Sequence, residues 1–210
     1  MDKYDPRKRV ALVVDEWGGW YEVEPGTNPG FLYQQNTMRD AMIAGVTLNV
    51  FNNHAERVRM ANLAQTVNVL QAVILTEGDK MILTPTYHVM EMYKVHQDAT
   101  LIPLSLQSKD YTFGNEKIPA IHASASTKDG ETHISLVNID PTTKHEVVID
   151  LDKNYKDVKG RILTSKSLTD HNTFQVPDKI KPTVFNGAKV SNNQLKVELP
   201  AYSVLVLNLK

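Results

Sequence analysis

Val10-Ala11-Leu12-Val13-Val14-Asp15-Glu16 is a run of five apolar residues followed by two carboxylates, near the start of a 210-residue chain. A strand that is apolar on both faces is typical of a parallel sheet covered on both sides. Strand side chains alternate, so Glu16 is predicted to lie on the face of Leu12 and Val14. A carboxylate that continues an apolar face is costly unless it is paired or used. The C-terminal ends of barrel strands hold catalytic groups, so Glu16 is the first candidate catalytic residue.

Aromatic residues follow this carboxylate at once, in Trp17-Gly18-Gly19-Trp20-Tyr21. Stacked aromatic rings beside a carboxylate commonly hold a sugar ring in proteins. Spacing alone leaves a second interpretation open, in which Glu16 caps a turn or pairs with an arginine.

Residues 31–98 have mainly helical periodicity. We predict a helix from Phe31 to Phe51 with Pro29-Gly30 as its start signal, and a second helical stretch from near His54. Val67–Leu70 is a short apolar run that fits either a buried strand or a helix. Ala72–Leu83 suits a small hairpin or lid, and Pro85 opens a predicted helix over Tyr87–Val95.

Beyond Ala99 the pattern changes to short alternating segments separated by turn-forming residues, which predicts an antiparallel sheet. The predicted strands are Ile102–Gln107, Ile118–Ser126, Thr132–Asn138, His145–Leu151, Lys159–Thr164, Thr183–Val190, Gln194–Leu199 and Tyr202–Leu209. About eight strands at this spacing favour a β-sandwich of jelly-roll type.

The sequence therefore predicts two domains, at residues 1–98 and 99–210. The first has βα-barrel character, but a complete barrel needs about 250 residues. Two explanations stay open: an unusual small α/β unit, or the C-terminal part of a longer protein.

Composition excludes several classes of function. Without cysteine there can be no disulfide, thiolate zinc site or cysteine nucleophile. A net charge of -1 argues against nucleic-acid binding, and no apolar run approaches the ~20 residues of a membrane span. Seven scattered histidines show no metal-ligand spacing, so neither a metal nor a cofactor is expected. The compartment stays open, and the lack of a visible export signal favours the cytoplasm.

Four segments of the chain resemble the glycoside hydrolase family 51 α-L-arabinofuranosidases. They are Val14–Tyr21, Leu32–Ala41, Met60–Leu70 and Leu83–Val89. The resemblance implies the C-terminal part of a (β/α)8 TIM barrel, beginning near the seventh strand, followed by a jelly-roll sandwich. This is an α/β segment joined to an all-β one.

The resemblance also implies roles for individual residues. Glu16 falls on the nucleophile, Trp20 on an aromatic wall of the sugar subsite, and Gln65 on a side chain that contacts arabinose. Supporting roles in packing or hydrogen bonding are implied for Asp15, Trp17 and Asn68. The expected substrate is an arabinose-containing oligosaccharide or polysaccharide.

Retaining hydrolysis requires a second carboxyl group as acid and base. In the resembling family this glutamate follows an asparagine at the fourth barrel strand, upstream of anything in this sequence. Asn115-Glu116 repeats the dipeptide without a preceding barrel strand, so we interpret it as a chance match on a solvated turn. The chain alone is therefore expected to be weakly active or inert.

Two other functions remain as alternatives: an endo-acting glucanase or xylanase of the same family, and a sandwich that only supports the barrel or binds carbohydrate. A partial barrel would expose apolar faces, so we expect either self-association into a homo-oligomer or a missing upstream barrel segment.

Overall fold

The computed structural model describes residues 1–210, which contain two α-helices and fifteen strands. The helices are α1 (Met38–Asn53) and α2 (Pro85–Tyr93). Strands of the first half are β1 (Leu12–Trp17), β2 (Val58–Leu63), β3 (Ile74–Glu77), β4 (Lys80–Leu83) and β5 (Thr100–Leu101). Strands of the second half are β6 (Asp110–Phe113), β7 (Glu116–Pro119), β8 (Ile121–Lys128), β9 (Glu131–Asn138), β10 (His145–Asp150), β11 (Val158–Thr164), β12 (Thr183–Phe185), β13 (Ala188–Ser191), β14 (Gln194–Leu199) and β15 (Ser203–Leu209).

The central layer is a six-stranded sheet with the order β12-β11-β15-β9-β8-β5. One face packs against a three-stranded sheet, β10-β14-β13, and buries an apolar cluster between the two. Alternation along β15 divides its side chains: Leu205 and Leu207 enter this sandwich core, while Val204 and Val206 point to the opposite face. The predicted β-sandwich is confirmed.

Helices α1 and α2 cover the opposite face of the six-stranded sheet. Their buried residues, among them Met38, Met42 and Val89, share one cluster with Val137 and Val204 of the sheet. Residues before and after position 99 therefore bury a common core. The proposed division at that position stays a prediction.

Gly45 brings α1 unusually close to the sheet. A Cβ atom at this position would lie 2.9 Å from a methyl carbon of Val137 and 3.2 Å from one of Val204. Only a residue without a side chain permits this helix–sheet distance.

The remaining strands form three separate pairs. Strands β1 and β2 are parallel, as expected for the first apolar run, while β3 pairs with β4 and β6 with β7 in antiparallel hairpins. The expected cover on both faces of β1 is not present, since Leu12 is 39% and Val13 47% exposed. The predicted fold class is confirmed: an α/β segment precedes an antiparallel sandwich.

The predicted start of the first helix is wrong. Pro29–Phe31 forms only a single 3-10 turn, and Leu32 ends it in the left-handed region with a φ of 54°. Helix α1 begins after Thr37, whose side chain and that of Asp40 form a reciprocal capping box.

The second helical stretch is also wrong. His54 to Arg57 forms a turn after α1, and Val58–Leu63 is strand β2. The apolar residues of this segment fit the helical and the strand period equally well, and its pairing with β1 makes it a strand. Val67–Leu70 is not a strand: Val67 forms one bridge to Ile74, and Asn68 has a φ of 57°, which strand backbone does not adopt. The predicted hairpin and the helix opened by Pro85 are confirmed.

The strand predictions for the second half mostly agree with the structure, with three exceptions. Ile118–Ser126 is divided at Ala120 into β7 and β8, which belong to different sheets. Ile102–Gln107 is not a strand, and Pro103, which lacks an N–H group, follows soon after β5. Thr183–Val190 is divided at Asn186-Gly187 into β12 and β13, which belong to different sheets. None of the helices is long and apolar enough to cross a membrane.

A polar cluster crosses the interface between helices and sheet. His96, just after α2, lies with one ring nitrogen 2.7 Å from the hydroxyl of Ser126 and the other 2.5 Å from that of Ser135. Burial, with a smaller contribution from His133, lowers the pKa of His96 to about 4. The neutral imidazole is therefore the form that fits the fold.

Replacing Gly45 by valine should lower the free energy of unfolding by about 1–3 kcal/mol, because the added atoms overlap Val137 and Val204. Urea unfolding measures the change. The control is Val50→Ala at an exposed position of the same helix, which should change stability little. Equal stability of Gly45→Val and the wild type would contradict this close packing.

Titration of His96 should make stability depend on pH. Its folded pKa lies below the ordinary value of 6.5, so its contribution is complete above pH 6.5 and is lost as pH falls toward 4. We expect up to about 3 kcal/mol of loss from this group. Urea unfolding across this range should show a steeper decline for the wild type than for His96→Gln, and parallel curves would refute the assignment.

Candidate functional site

Glu16 lies at the C-terminal end of β1, as the sequence predicts. The register passes from Val14 opposite Ala61 to Trp17 opposite Leu63, so β1 contains one extra residue at this point. Such an irregularity breaks the strict alternation assumed for Glu16, and bulges of this kind commonly re-aim side chains beside active sites. The Glu16 carboxylate is exposed and has neither a hydrogen-bond partner nor an ion-pair partner within the chain.

Gln65 follows β2, two residues after Leu63. Because β1 and β2 are parallel neighbours, Glu16 and Gln65 lie at the same edge of the sheet. Gln65 is exposed and adopts a φ of 58°, which turns the chain away from the strand direction. The two predicted polar residues are therefore brought to one edge.

Trp17 and Trp20 have different environments. Trp17 is half-buried, with its ring edge-on to Phe51 at 5.5 Å between centroids, and it packs beside the helix cluster. Trp20 is 67% exposed. Of the two tryptophans, Trp20 is thus the one available to a ligand.

Two predicted supporting residues make local polar contacts. Asp15 accepts a hydrogen bond from the amide of Asn62 on the neighbouring strand, at 3.3 Å. Asn68 donates to the Thr76 hydroxyl and accepts from the Thr76 backbone N–H, both at 2.8 Å. Asn68 therefore joins the loop after β2 to the β3–β4 hairpin.

Sequence reasoning missed two buried glutamines that hold the segment after Glu16. Gln71 donates to the Gly19 carbonyl at 2.6 Å, and Gln34 donates to the same oxygen at 3.1 Å. Gln34 also accepts from the Tyr21 N–H at 3.1 Å. Gln34 lies within one of the resembling segments and Gln71 lies outside them, so the sequence does not distinguish these glutamines from exposed ones.

Asp40 connects this arrangement to helix α1. Its fully buried carboxylate accepts hydrogen bonds from the Thr37 backbone N–H at 2.8 Å and from the Gln71 amide at 3.0 Å. The neighbouring Arg39 guanidinium lies 3.5 Å from the centre of the Tyr21 ring. Burial raises the pKa of Tyr21 above its ordinary value, and the nearby Arg39 charge partly opposes this. The Tyr21 phenol is thus held neutral against the arginine.

The dipeptide Asn115-Glu116 lies at the β6–β7 hairpin, where Glu116 begins β7 and is exposed. No barrel strand precedes it. Elsewhere, no three His, Asp or Glu side chains are grouped so that they could hold a metal ion.

Exposed aromatic residues are scarce on the sandwich. Of the six candidates (Tyr111, Phe113, Tyr155, Phe174, Phe185 and Tyr202), only Phe113 is exposed, at 77%, and it lies on the separate β6–β7 hairpin. The sheet faces therefore present no row of aromatic rings for carbohydrate binding.

Comparison with known proteins extends over the whole chain. The crystal structure of a family 51 arabinofuranosidase from Xanthomonas axonopodis pv. citri matches with 52% identity and a TM-score of 0.97, over 100% of this chain and 43% of that one. A family 51 α-L-arabinofuranosidase structure from Bifidobacterium longum matches with 26% identity and a TM-score of 0.83, over 95% and 42%. The chain thus has the fold of the corresponding part of family 51 arabinofuranosidases.

Sequence comparison makes the assignment more specific. Residues 15–203 match the profile of the family described as "Alpha-L-arabinofuranosidase C-terminal domain". The intracellular exo-α-L-arabinofuranosidase of Bacteroides ovatus is 49% identical over 100% of this chain. The chain belongs to the α-L-arabinofuranosidase C-terminal domain family, and it spans 41% of the length of that relative.

Proposed function

We propose that this chain supplies the nucleophile side of a retaining α-L-arabinofuranosidase site. Glu16 is the nucleophile, Trp20 and Gln65 bind the sugar, and Asp15, Trp17 and Asn68 support them. The observation that carries the proposal is an unpaired carboxylate at a bulged, C-terminal end of a parallel strand, within a chain of this family.

In the first step, a carboxylate oxygen of Glu16 attacks the anomeric carbon of the arabinofuranosyl unit. The bond from that carbon to the leaving oxygen breaks, and its electron pair departs with the leaving group. Water then cleaves the glycosyl–enzyme ester, which releases arabinose and restores the carboxylate. A free, exposed carboxylate suits this role because its oxygens are not engaged in an ion pair with an arginine and can attack the sugar.

A second carboxyl group must protonate a poor leaving group and later activate the water. We propose that it comes from a segment outside these 210 residues, because the relatives are more than twice as long and Glu116 lies on the sandwich side. Loss of general acid catalysis typically costs about 10²–10⁴-fold in rate. Substrates with poor leaving groups should therefore react slowly with this chain alone.

The substrate class and the compartment are proposed from the relatives. Those of Bacteroides ovatus and Bifidobacterium longum are named intracellular exo-acting arabinofuranosidases. We propose an arabinose-containing oligosaccharide or polysaccharide as substrate and the cytoplasm as location.

The exposed apolar surface of the β1–β2 pair supports the proposed need for a covering partner. Val13 and Met60 are opposite each other in the parallel register, and they are 47% and 54% exposed. Either a second copy or an additional barrel segment would remove this surface from water.

An arabinofuranoside with a dinitrophenyl leaving group tests the nucleophile without requiring the missing acid. Its phenolate departs unprotonated, while slow deglycosylation should allow the glycosyl–enzyme to accumulate. We expect mass spectrometry of the intact chain to show one added pentosyl unit, located to the peptide that contains Glu16. Added azide should release it as glycosyl azide.

Two variants control this experiment. Glu16→Gln keeps the size of the side chain but removes the nucleophilic carboxylate, and it should abolish labelling. Glu116→Gln changes an exposed carboxylate of the β6–β7 hairpin that lies outside the proposed site, and should retain labelling at Glu16. A wild-type chain that is never labelled, or labelling that survives in Glu16→Gln, would refute the proposal.

Association through the β1–β2 surface can be measured by size-exclusion chromatography. We expect the wild type to elute as species larger than a monomer, and Val13→Lys with Met60→Lys to shift the chain toward a monomer by charging the apolar surface. Val184→Lys, at an exposed position of β12, is the matched control and should elute like the wild type. A clean wild-type monomer would show that the surface does not drive association.

A further inference from the structure

We propose that Gln71 and Gln34 are positioning residues for the proposed sugar site: together they fix the Gly19 carbonyl and so set the path of the Glu16–Trp20 segment. The inference rests on the proposed function and extends it to residues that do not themselves touch the sugar.

The two glutamines hold the same peptide from different directions. The Gly19 oxygen receives one amide hydrogen from Gln71 at 2.6 Å and another from Gln34 at 3.1 Å. Gln34 closes a small ring by accepting the Tyr21 N–H at 3.1 Å. The backbone on both sides of Trp20 is thus restrained through its own polar groups.

Both glutamine side chains are almost completely buried. Gln71 is 1% and Gln34 is 2% exposed. A buried amide is costly unless it is hydrogen-bonded, and a long glutamine side chain also loses rotamer freedom on burial. Gln71 additionally adopts a φ of 56°, which is uncommon for a residue other than glycine. The hydrogen bond from Gln71 to the Gly19 carbonyl offsets the cost of burial and of the unusual backbone conformation.

Gln71 also restricts which residue can occupy position 18, just before Gly19. A Cβ atom at Gly18 would lie 2.5 Å from the Gln71 Cγ, and Gly18 has a φ of 136°. The backbone two residues after Glu16 therefore rests directly on the Gln71 side chain, and only glycine fits there.

Asp40 provides the fixed point for the arrangement. The Gln71 amide donates to the Asp40 carboxylate at 3.0 Å, and Asp40 caps the start of α1, whose buried face packs on the six-stranded sheet. The position of Gly19 is thus set by the sandwich side of the molecule rather than by the exposed β1–β2 pair.

Gln71→Met and Gln34→Met test this role because methionine preserves side-chain length and loses the amide. We expect each variant to lower the saturating rate of Glu16 labelling by the dinitrophenyl arabinofuranoside by roughly 10–100-fold, since a displacement of about 1 Å at a reacting group can cost about 10²-fold. Hydrogen exchange of the peptide over residues 18–22 should rise in both variants.

The matched control is Asn138→Leu, which removes a buried amide of the sandwich that donates to the Thr143 and Pro200 carbonyls. Its melting temperature should fall, while the labelling rate and exchange over residues 18–22 should match the wild type. Labelling by Gln71→Met at the wild-type rate, or a loss no larger than in Asn138→Leu, would overturn the positioning role.

These results are distinguishable from failure of the proposed function. A wild-type chain without labelling refutes the nucleophile assignment, and the exchange measurement then decides the role of the glutamines. Unchanged exchange over residues 18–22 in Gln71→Met and Gln34→Met would show that they do not hold the segment.

Discussion

The buried carboxylate of Asp40 is the contact on which the geometry of the candidate site depends. A fully buried charge is tolerated only when hydrogen bonds replace its hydration. Here they come from the start of α1 through Thr37, from the Arg39 guanidinium and from the Gln71 amide. One carboxylate therefore both starts a helix and orients the glutamine that holds Gly19, so helix capping and site geometry cannot vary independently.

The position of α1 is itself fixed by packing on the sheet. Gly45 allows the helix to approach Val137 and Val204 at a distance that any side chain would prevent. The structural dependence therefore runs from the sandwich to α1, from α1 through Asp40 to Gln71, and from Gln71 to the segment that carries Glu16. On this view the sandwich is required for the site, although it contributes no group to the chemistry.

Sequence periodicity predicts the elements whose pattern of buried residues is visible in a short stretch of sequence. It fails where contacts with distant parts of the chain determine the secondary structure. Strand β15 alternates between two cores and was predicted to within one residue. Strand β2 was predicted as helix because its pairing with β1, about 45 residues earlier, is absent from local periodicity. The same limit applies to the site. Glu16 and Trp20 stand out within a single short segment, whereas Gln71 meets Gly19 across 52 positions of sequence and only the fold brings them together.

Burial differs between strand β1 and the segment that follows it. Strand β1 has β2 as its only paired neighbour, and Leu12 and Val13 remain largely exposed, so the apolar side of this strand is incomplete within the chain. The segment just after it is nevertheless fixed by buried amides that belong to the helix layer. Completing the apolar surface around β1 and orienting the segment after Glu16 therefore depend on different contacts. A partner that covers β1 would therefore bind next to a segment after Glu16 that is already fixed. It could complete the site without first having to order that segment.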